Sequence, residues 1–212
     1  MSKEAKRVIT EVLSSIVPSQ HEEKLMKSAF SAIAKKIKIK GTKVLLGGSG
    51  AKGTWLKEAH DMDIYVAFNY ARYKNQSDQI ANILAAHLKK KFKNIVRLHG
   101  SRDYFQLYQG DHTTEIIPIL NIKKSSQAKN ITDCSQLHVT YVKKKKRLAN
   151  DMRLAKAFAK SAGVYGAESY IQGFSGYVLE VLTITYGSFL NLLKAAAKWK
   201  GRTIIGEKKK VA

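Results

Sequence analysis

The chain has very little of several things. Its one cysteine, Cys134, excludes an internal disulfide and any cysteine-based zinc cluster. No apolar run approaches the roughly 18 residues that a membrane helix needs, and no N-terminal apolar segment reads as a signal, so neither secretion nor membrane spanning is expected and a cytoplasmic protein is the default. The six histidines show no ligand spacing. Acidic residues are scarce, 16 Asp and Glu against 38 Lys and Arg, for a formal net charge of +22 over 212 residues. A small soluble domain usually carries a net charge of about 2 to 8. The excess favours a polyanionic partner, because each neutralised phosphate releases counterions and binding weakens with salt. A solvated basic surface is the alternative reading of the same charge. Hydrophobic residues at 44% are ordinary for a globular chain, and this length holds one large or two small domains with real cores.

What is present centres on residues 44–66, VLLGGSGAKGTWLKEAHDMDIYV. The apolar run Val44-Leu45-Leu46 leads into the turn Gly47-Gly48-Ser49. A short polar connection then reaches Asp61-Met62-Asp63 at the head of a second apolar run, Ile64 to Phe68. In a strand, alternate side chains share a face, so Asp61 and Asp63 project together about 6 to 7 Å apart along the backbone, and Met62 faces the core. Two such carboxylates in a polar cleft suit a pair of hard cations about 3.5 to 4 Å apart. Glycines let backbone N–H groups approach a phosphate, and the Ser49 hydroxyl adds a donor.

Elsewhere the apolar spacing predicts a helix over 4–17 ended by Pro18, then a second that Ser19 and Glu22 begin as a capping box and that runs to about residue 36. A helix follows over 80–92, with Ile83, Leu84 and Leu88 buried. Strands are expected over 94–98, 103–108 and 113–120, with Gly110-Asp111 as the turn between the last two. Glu115 lies among apolar neighbours in the last of these. An acid there is costly unless paired or bound to metal, although a Glu on an edge strand can simply face solvent. Pro118 limits this strand to an edge or its end. Residues 121–135 are polar and lysine-rich and mark a boundary, and from Tyr141 to Tyr186 the period is helical, with Leu148, Met152, Ala155, Phe158 and Ala159 on one face. Gly163 is a C-cap. A long apolar segment over 177–193, broken at Gly187, buries Val178, Val181, Leu182 and Ile184. The basic block Lys143, Lys144, Lys145, Lys146 and Arg147 is either a solvated face or a contact to an RNA backbone.

The order GS, then Thr54-Trp55-Leu56, then DxD on an apolar strand resembles the polymerase-beta-like nucleotidyltransferase superfamily. GSGAKGTWLKEAHDMDIYV is close to its form in archaeal, class I CCA-adding enzymes, the tRNA nucleotidyltransferases. RLAKAFAKSAGVYGAE, GFSGYVLEVL and YGSFL, followed by a Trp and RT, resemble that family's central domain in the same order, so the similarity runs from the first helices to about Ile205.

The resemblance implies an α+β fold: a polymerase-beta-like palm of mixed sheet and helices over 1–125, then a helical central domain over 126–212. It implies CMP and AMP transfer from CTP and ATP to tRNA 3′ ends with two Mg²⁺. Asp61, Asp63 and Glu115 would hold the metals, with Glu115 helping to deprotonate the 3′-hydroxyl. Gly48, Ser49, Lys52, Lys156 and Tyr165 would hold the triphosphate, and His138 would lie near the nucleotide. Two positions depart from the family pattern: Lys52 where Arg is usual, a point charge in place of a bidentate grip, and Glu115 where Asp is usual, longer by one carbon–carbon bond of about 1.5 Å.

Family members continue through body and tail domains beyond the point where this chain stops. The expectations are a divided enzyme completed by a second polypeptide, a reduced enzyme acting alone or as a homo-oligomer, or a chain cut at a domain boundary. The alternative functions are another RNA 3′-nucleotidyltransferase of the poly(A)-polymerase kind and a non-catalytic RNA-binding subunit.

Overall fold

A computed structural model describes residues 2–57, 61–110, 112–201 and 203–205. The elements in chain order are α1 (Lys3–Ile16), α2 (Gln20–Ala34), β1 (Thr42–Leu46), α3 (Gly48–Lys52), β2 (Asp61–Asn69), α4 (Tyr70–Tyr73), α5 (Ile80–Lys89), β3 (Ile95–Leu98), β4 (Tyr104–Gln109), β5 (His112–Asn121), α6 (Ser135–Lys143), α7 (Ala149–Ser161), α8 (Gly176–Tyr186) and α9 (Phe189–Ala196). The expected boundary stood at residues 125 and 126. The compact units divide the chain elsewhere: Pro18–Lys143 forms one, and Met1–Val17 with Lys144–Ala212 the other, so the first helix belongs with the last three.

The first unit is built on a five-stranded sheet in the order β1-β2-β5-β4-β3. The pair β2–β5 is parallel and the remaining pairs are antiparallel. Ile64 to Phe68 of β2 are all buried, because helices cover both faces at this point and a continuous apolar run is what such a central strand requires. Ile64, Val66 and Phe68 pack with Ile33, Ile80, Leu84 and Leu88 on one side. Tyr65 and Ala67 pack with Ile119 and Val139 on the other. The α2 start is the expected capping box: the Glu22 amide donates to Ser19 Oγ at 3.2 Å, and the Ser19 amide donates to Glu22 Oε2 at 2.7 Å.

Two expectations change here. Gly47-Gly48-Ser49 is the entry to the short helix α3 rather than a free turn. Pro118 is not at an edge, since β5 lies in the middle of the sheet. The last β4 rung falls at Ile116, two residues before Pro118, and the Pro118 carbonyl accepts from Arg102 Nη1 at 3.2 Å. N–H and C=O of one strand residue point the same way, so the missing proline donor faces a side where no strand pairs. Asp111 of the expected Gly110-Asp111 turn lies outside the described residues, and Gly110 takes φ +60°.

A buried clamp ties the chain after β5 to this sheet. Asp133 pairs with Arg102 and accepts from the amides of Leu120 at 2.8 Å, Lys129 at 3.0 Å and Asn130 at 3.1 Å. With its acceptor sites filled, the carboxylate tolerates full burial.

The helical unit packs α1, α7, α8 and α9 around Leu154, Ala155, Leu179, Leu182, Phe189 and Leu192. Residues 162–175 interrupt the expected helical run: Gly163 at φ +68° ends α7, and Tyr165 bridges Phe174. Gly187 takes the left-handed cap that ends α8, and α9 leaves at 95° to it. Phe158 and Val178, expected in the core, are exposed at 51% and 42%. The stripe that α8 buries is Leu179, Glu180, Leu182 and Thr183. No single helix among the described residues is long and apolar enough to cross a membrane.

Candidate functional site

The β2–β5 register puts Asp63 opposite Glu115, and Asp61 opposite Thr113. The three carboxylates therefore occupy one face of two neighbouring strands, which in any sheet run about 4.8 Å apart. Asp61 is exposed, and Asp63 and Glu115 are half-buried. This is the face on which Tyr65 and Ala67 pack. Met62 points to the opposite side and joins the Ile64–Val66–Phe68 cluster, as the alternation predicts.

The glycine pair works through close approach. The Gly47 amide extends the β1–β2 ladder by donating to the Asp63 carbonyl at 2.7 Å, and a Cβ at Gly47 would sit 2.6 Å from the Tyr65 ring. Gly48, at φ +48°, has its Cα against the Asp63 carboxylate, which occupies the place of any Cβ. The Gly48 amide donates to Tyr65 Oη at 3.2 Å rather than standing open. Ser49 follows in the first turn of α3, and Lys52 sits half-buried in its last turn. Thr54, Trp55 and Leu56 of the same motif are buried, so that part of the motif is structural.

Helix α6, which carries His138, packs against α3. Gly48, Ser49, Lys52, Asp61, Asp63, Glu115 and the α6 helix thus belong to one region of the sheet unit. Beside Asp61, a cavity of about 410 Å³ opens between α2, residues 55–57 and the first residues of β2 and β5. Met26, Trp55 and Met62 are among its apolar walls, and Glu22, Lys57, Asp61, Gln109 and His112 are among its polar groups. Its volume lies in the range of small-molecule sites.

Glu115 has a further neighbour that periodicity alone does not reveal. Gln106 of β4 is its antiparallel partner and donates from Nε2 to Glu115 Oε1 at 3.0 Å. Tyr104, two residues along the same face of β4, has its phenol pushed above the ordinary value of 10, first by burial and then by the Glu115 and Tyr108 charges.

Among the described residues, no three acidic, histidine or cysteine side chains converge closely enough to hold an ion as they stand. The donor set nevertheless fits a hard divalent cation in its chemistry, since all three candidates are carboxylate oxygen ligands on one face of two neighbouring strands.

Lys156 and Tyr165 belong to the helical unit. Lys156 is 3% exposed and its Nζ donates to Glu180 Oε1 at 2.7 Å, with Glu180 fully buried. A Cβ at Gly176 would lie 2.8 Å from Tyr165 Oη and 3.5 Å from Lys156 Cε, so the two candidates meet at the start of α8. Lys160 lies 5.4 Å from the centre of the Tyr165 ring, within cation–π range. Sequence reasoning missed Glu180. Its signal is an acid inside the apolar run Tyr177 to Leu182, which demands a buried cation. Lys143 to Arg147 are all exposed; α6 ends at Lys143, so the block forms the link after α6 rather than a helix face.

The family profile described as "Nucleotidyltransferase domain" matches residues 26–138, and "tRNA nucleotidyltransferase, second domain" matches residues 150–212. Among curated relatives, a CCA-adding enzyme of Nanoarchaeum equitans is 46% identical over 163 residues, 76% of this chain and 40% of that protein. One of Pyrobaculum aerophilum is 33% identical over 91% of this chain and 48% of that protein. The chain therefore spans less than half the length of these relatives. Among solved structures, the Cid1 RNA terminal uridylyl transferase gives a TM-score of 0.65 at 22% identity over 87% of this chain and 53% of that one. The Escherichia coli MS115-1 CdnC with ATP gives 0.65 at 16% identity over 95% and 75%. These structural likenesses show a shared fold. With one family profile covering over half of the chain and the second-domain profile following it in order, the chain belongs to the tRNA nucleotidyltransferase family.

Proposed function

We propose that the chain is the catalytic portion of a tRNA nucleotidyltransferase that adds CMP and AMP from CTP and ATP to tRNA 3′ ends. The observation that carries this reading is the shared rung of Asp63 and Glu115, with Asp61 on the same face and Gly48 against Asp63. Asp61, Asp63 and Glu115 hold two Mg²⁺ in this reading. When bound, the ions activate the attacking oxygen and neutralise charge on the transferred phosphoryl group. The chain's own residues do the positioning. Ser49 and Lys52 donate to the triphosphate, with His138 beside the nucleotide, and the family resemblance adds Lys156 and Tyr165 of the helical unit as nucleotide-binding candidates. Glu115 draws the proton from the RNA 3′-hydroxyl. Catalysis is then mostly orientation and charge stabilisation.

The proposed setting is the cytoplasm. tRNA is the proposed partner, drawn by the +22 charge and by the exposed Lys143–Arg147 link.

The test is incubation of the chain with tRNA lacking its 3′ CCA, Mg²⁺ and labelled CTP or ATP, alone and with any co-encoded polypeptide. Labelled tRNA is expected. No label under either condition contradicts the enzyme reading and favours a silent RNA-binding subunit.

A further inference from the structure

Glu115 lies between two strands that treat it differently. On the β2 side its rung partner is Asp63, another carboxylate. On the β4 side its partner is Gln106, whose Nε2 donates to Oε1 at 3.0 Å. Gln106 is itself held: Tyr108, two residues on along the same face of β4, donates its hydroxyl to Gln106 Oε1 at 2.6 Å. An ionised carboxylate accepts only, and an amide offers its acceptor at one end and its donors at the other. Because the Glu115 carboxylate only accepts, the Gln106 amide turns its donors toward it, and the Tyr108 hydroxyl then donates to the amide oxygen left on the other side. The chain of bonds Tyr108 to Gln106 to Glu115 therefore has a direction, and it ends on one named oxygen.

We propose that Gln106, hydrogen-bonded in turn by Tyr108, is a positioning residue that tethers Glu115 through Oε1 and leaves Oε2 for the cation. The inference rests on the reading of Glu115 as a metal ligand. A glutamate has one more rotatable bond than an aspartate and disperses its carboxylate over more positions unless one oxygen is tethered. The Gln106 bond supplies that tether at Oε1. Outer partners that orient a ligand in this way change metal affinity by roughly 10- to 100-fold when removed.

The test uses the full chain and Mn²⁺ as the probe, followed by electron paramagnetic resonance in the presence of CTP, beside steady-state incorporation. Gln106→Leu keeps the approximate size of the side chain and removes both bonds. It should weaken Mn²⁺ binding about tenfold and lower kcat, with KM for CTP unchanged. Tyr108 is 44% exposed, so Tyr108→Phe leaves core packing alone and should give a smaller loss in the same direction. In a Glu115→Asp background the shorter carboxylate no longer reaches Gln106, and Gln106→Leu should then have no further effect. Unchanged Mn²⁺ affinity in Gln106→Leu, beside a clear loss in Glu115→Gln, overturns the positioning role. An equal loss in both backgrounds also overturns it, because that pattern marks a purely structural residue. Glu115→Gln with wild-type Mn²⁺ binding overturns the ligand reading instead, and the two failures are thereby distinguished.

Discussion

Lys156 and Glu180 form a buried ion pair inside the helical unit, 2.7 Å from Nζ to Oε1, with 3% and 0% of each residue exposed. Breaking a buried ion pair by removing one member typically costs about 3 to 5 kcal/mol. Glu180→Ala should therefore lower the melting temperature sharply. Lys156→Met combined with Glu180→Leu removes both charges and should melt near the wild type. If Lys156 also grips the triphosphate, as proposed, the double variant folds but incorporates nucleotide far more slowly. Recovery of both stability and activity would leave the pair a structural role alone.

Gly48 is the position at which the backbone meets the proposed catalytic carboxylate of Asp63. Any side chain there collides with the Asp63 carboxylate, and the φ of +48° is left-handed. Gly48→Ala should cost about 1 to 2 kcal/mol in unfolding titrations from the backbone conformation. Its effect on incorporation should be larger, about 100-fold, because displacing a carboxylate by about 1 Å already costs that much. An equal rate in wild type and variant would separate Asp63 from the chemistry.

The α2 cap gives the sheet unit an acid-sensitive element. Hydrogen bonds from the Ser19 hydroxyl and amide, the hydroxyl first, hold the Glu22 carboxyl below its ordinary 4.5. A depressed folded-state value contributes stability above the unfolded value, and that contribution disappears as pH falls through the folded one. Ser19→Ala should thus lower the melting temperature at pH 7, and the gap between wild type and variant should narrow as pH drops below about 4. Thermal melts across that range read the difference directly.

The Lys143–Arg147 link is exposed along its whole length. If it touches RNA phosphates, replacing Lys144, Lys145 and Lys146 by Ser should weaken tRNA binding. The slope of log K against log salt should become shallower by about 0.7 to 0.9 for each phosphate that is no longer neutralised. An unchanged slope would mark the block as solvated surface.

Much of the sheet unit was legible in the sequence, for a specific reason. Period-two alternation fixed the common face of Asp61 and Asp63 and the inward turn of Met62, since side-chain direction in a strand is local. What pairs across strands is not local. Nothing in the spacing indicated that Glu115 would share a rung with Asp63, because the β2–β5 register joins segments about fifty residues apart. Pro118 was misread because the rule against central prolines assumes a strand on the N–H side, and β4 stops short of it. The entry to α3 read as a turn because Gly47-Gly48 has low helix propensity; docking of α3 against α6 and β2 overrides that preference. In the helical unit, Lys156 was recognised and Glu180 was not, although an acid in an apolar helical run signals a buried partner. Phe158 and Val178 were expected in the core because helical period marks a face and not its limits.

The central claim is that the face bearing Asp61, Asp63 and Glu115 performs nucleotidyl transfer. One measurement tests it most directly: labelled CMP incorporation into tRNA lacking CCA by the wild type and by Asp63→Asn, with tRNA binding measured on the same samples. The wild type should incorporate label, and the variant should lose about 100- to 1,000-fold, the range that removing one transition-state stabilising group produces. The affinities of the two for tRNA should agree within about twofold, because the phosphate contacts that dominate binding are untouched. Equal incorporation by the two proteins would contradict the claim.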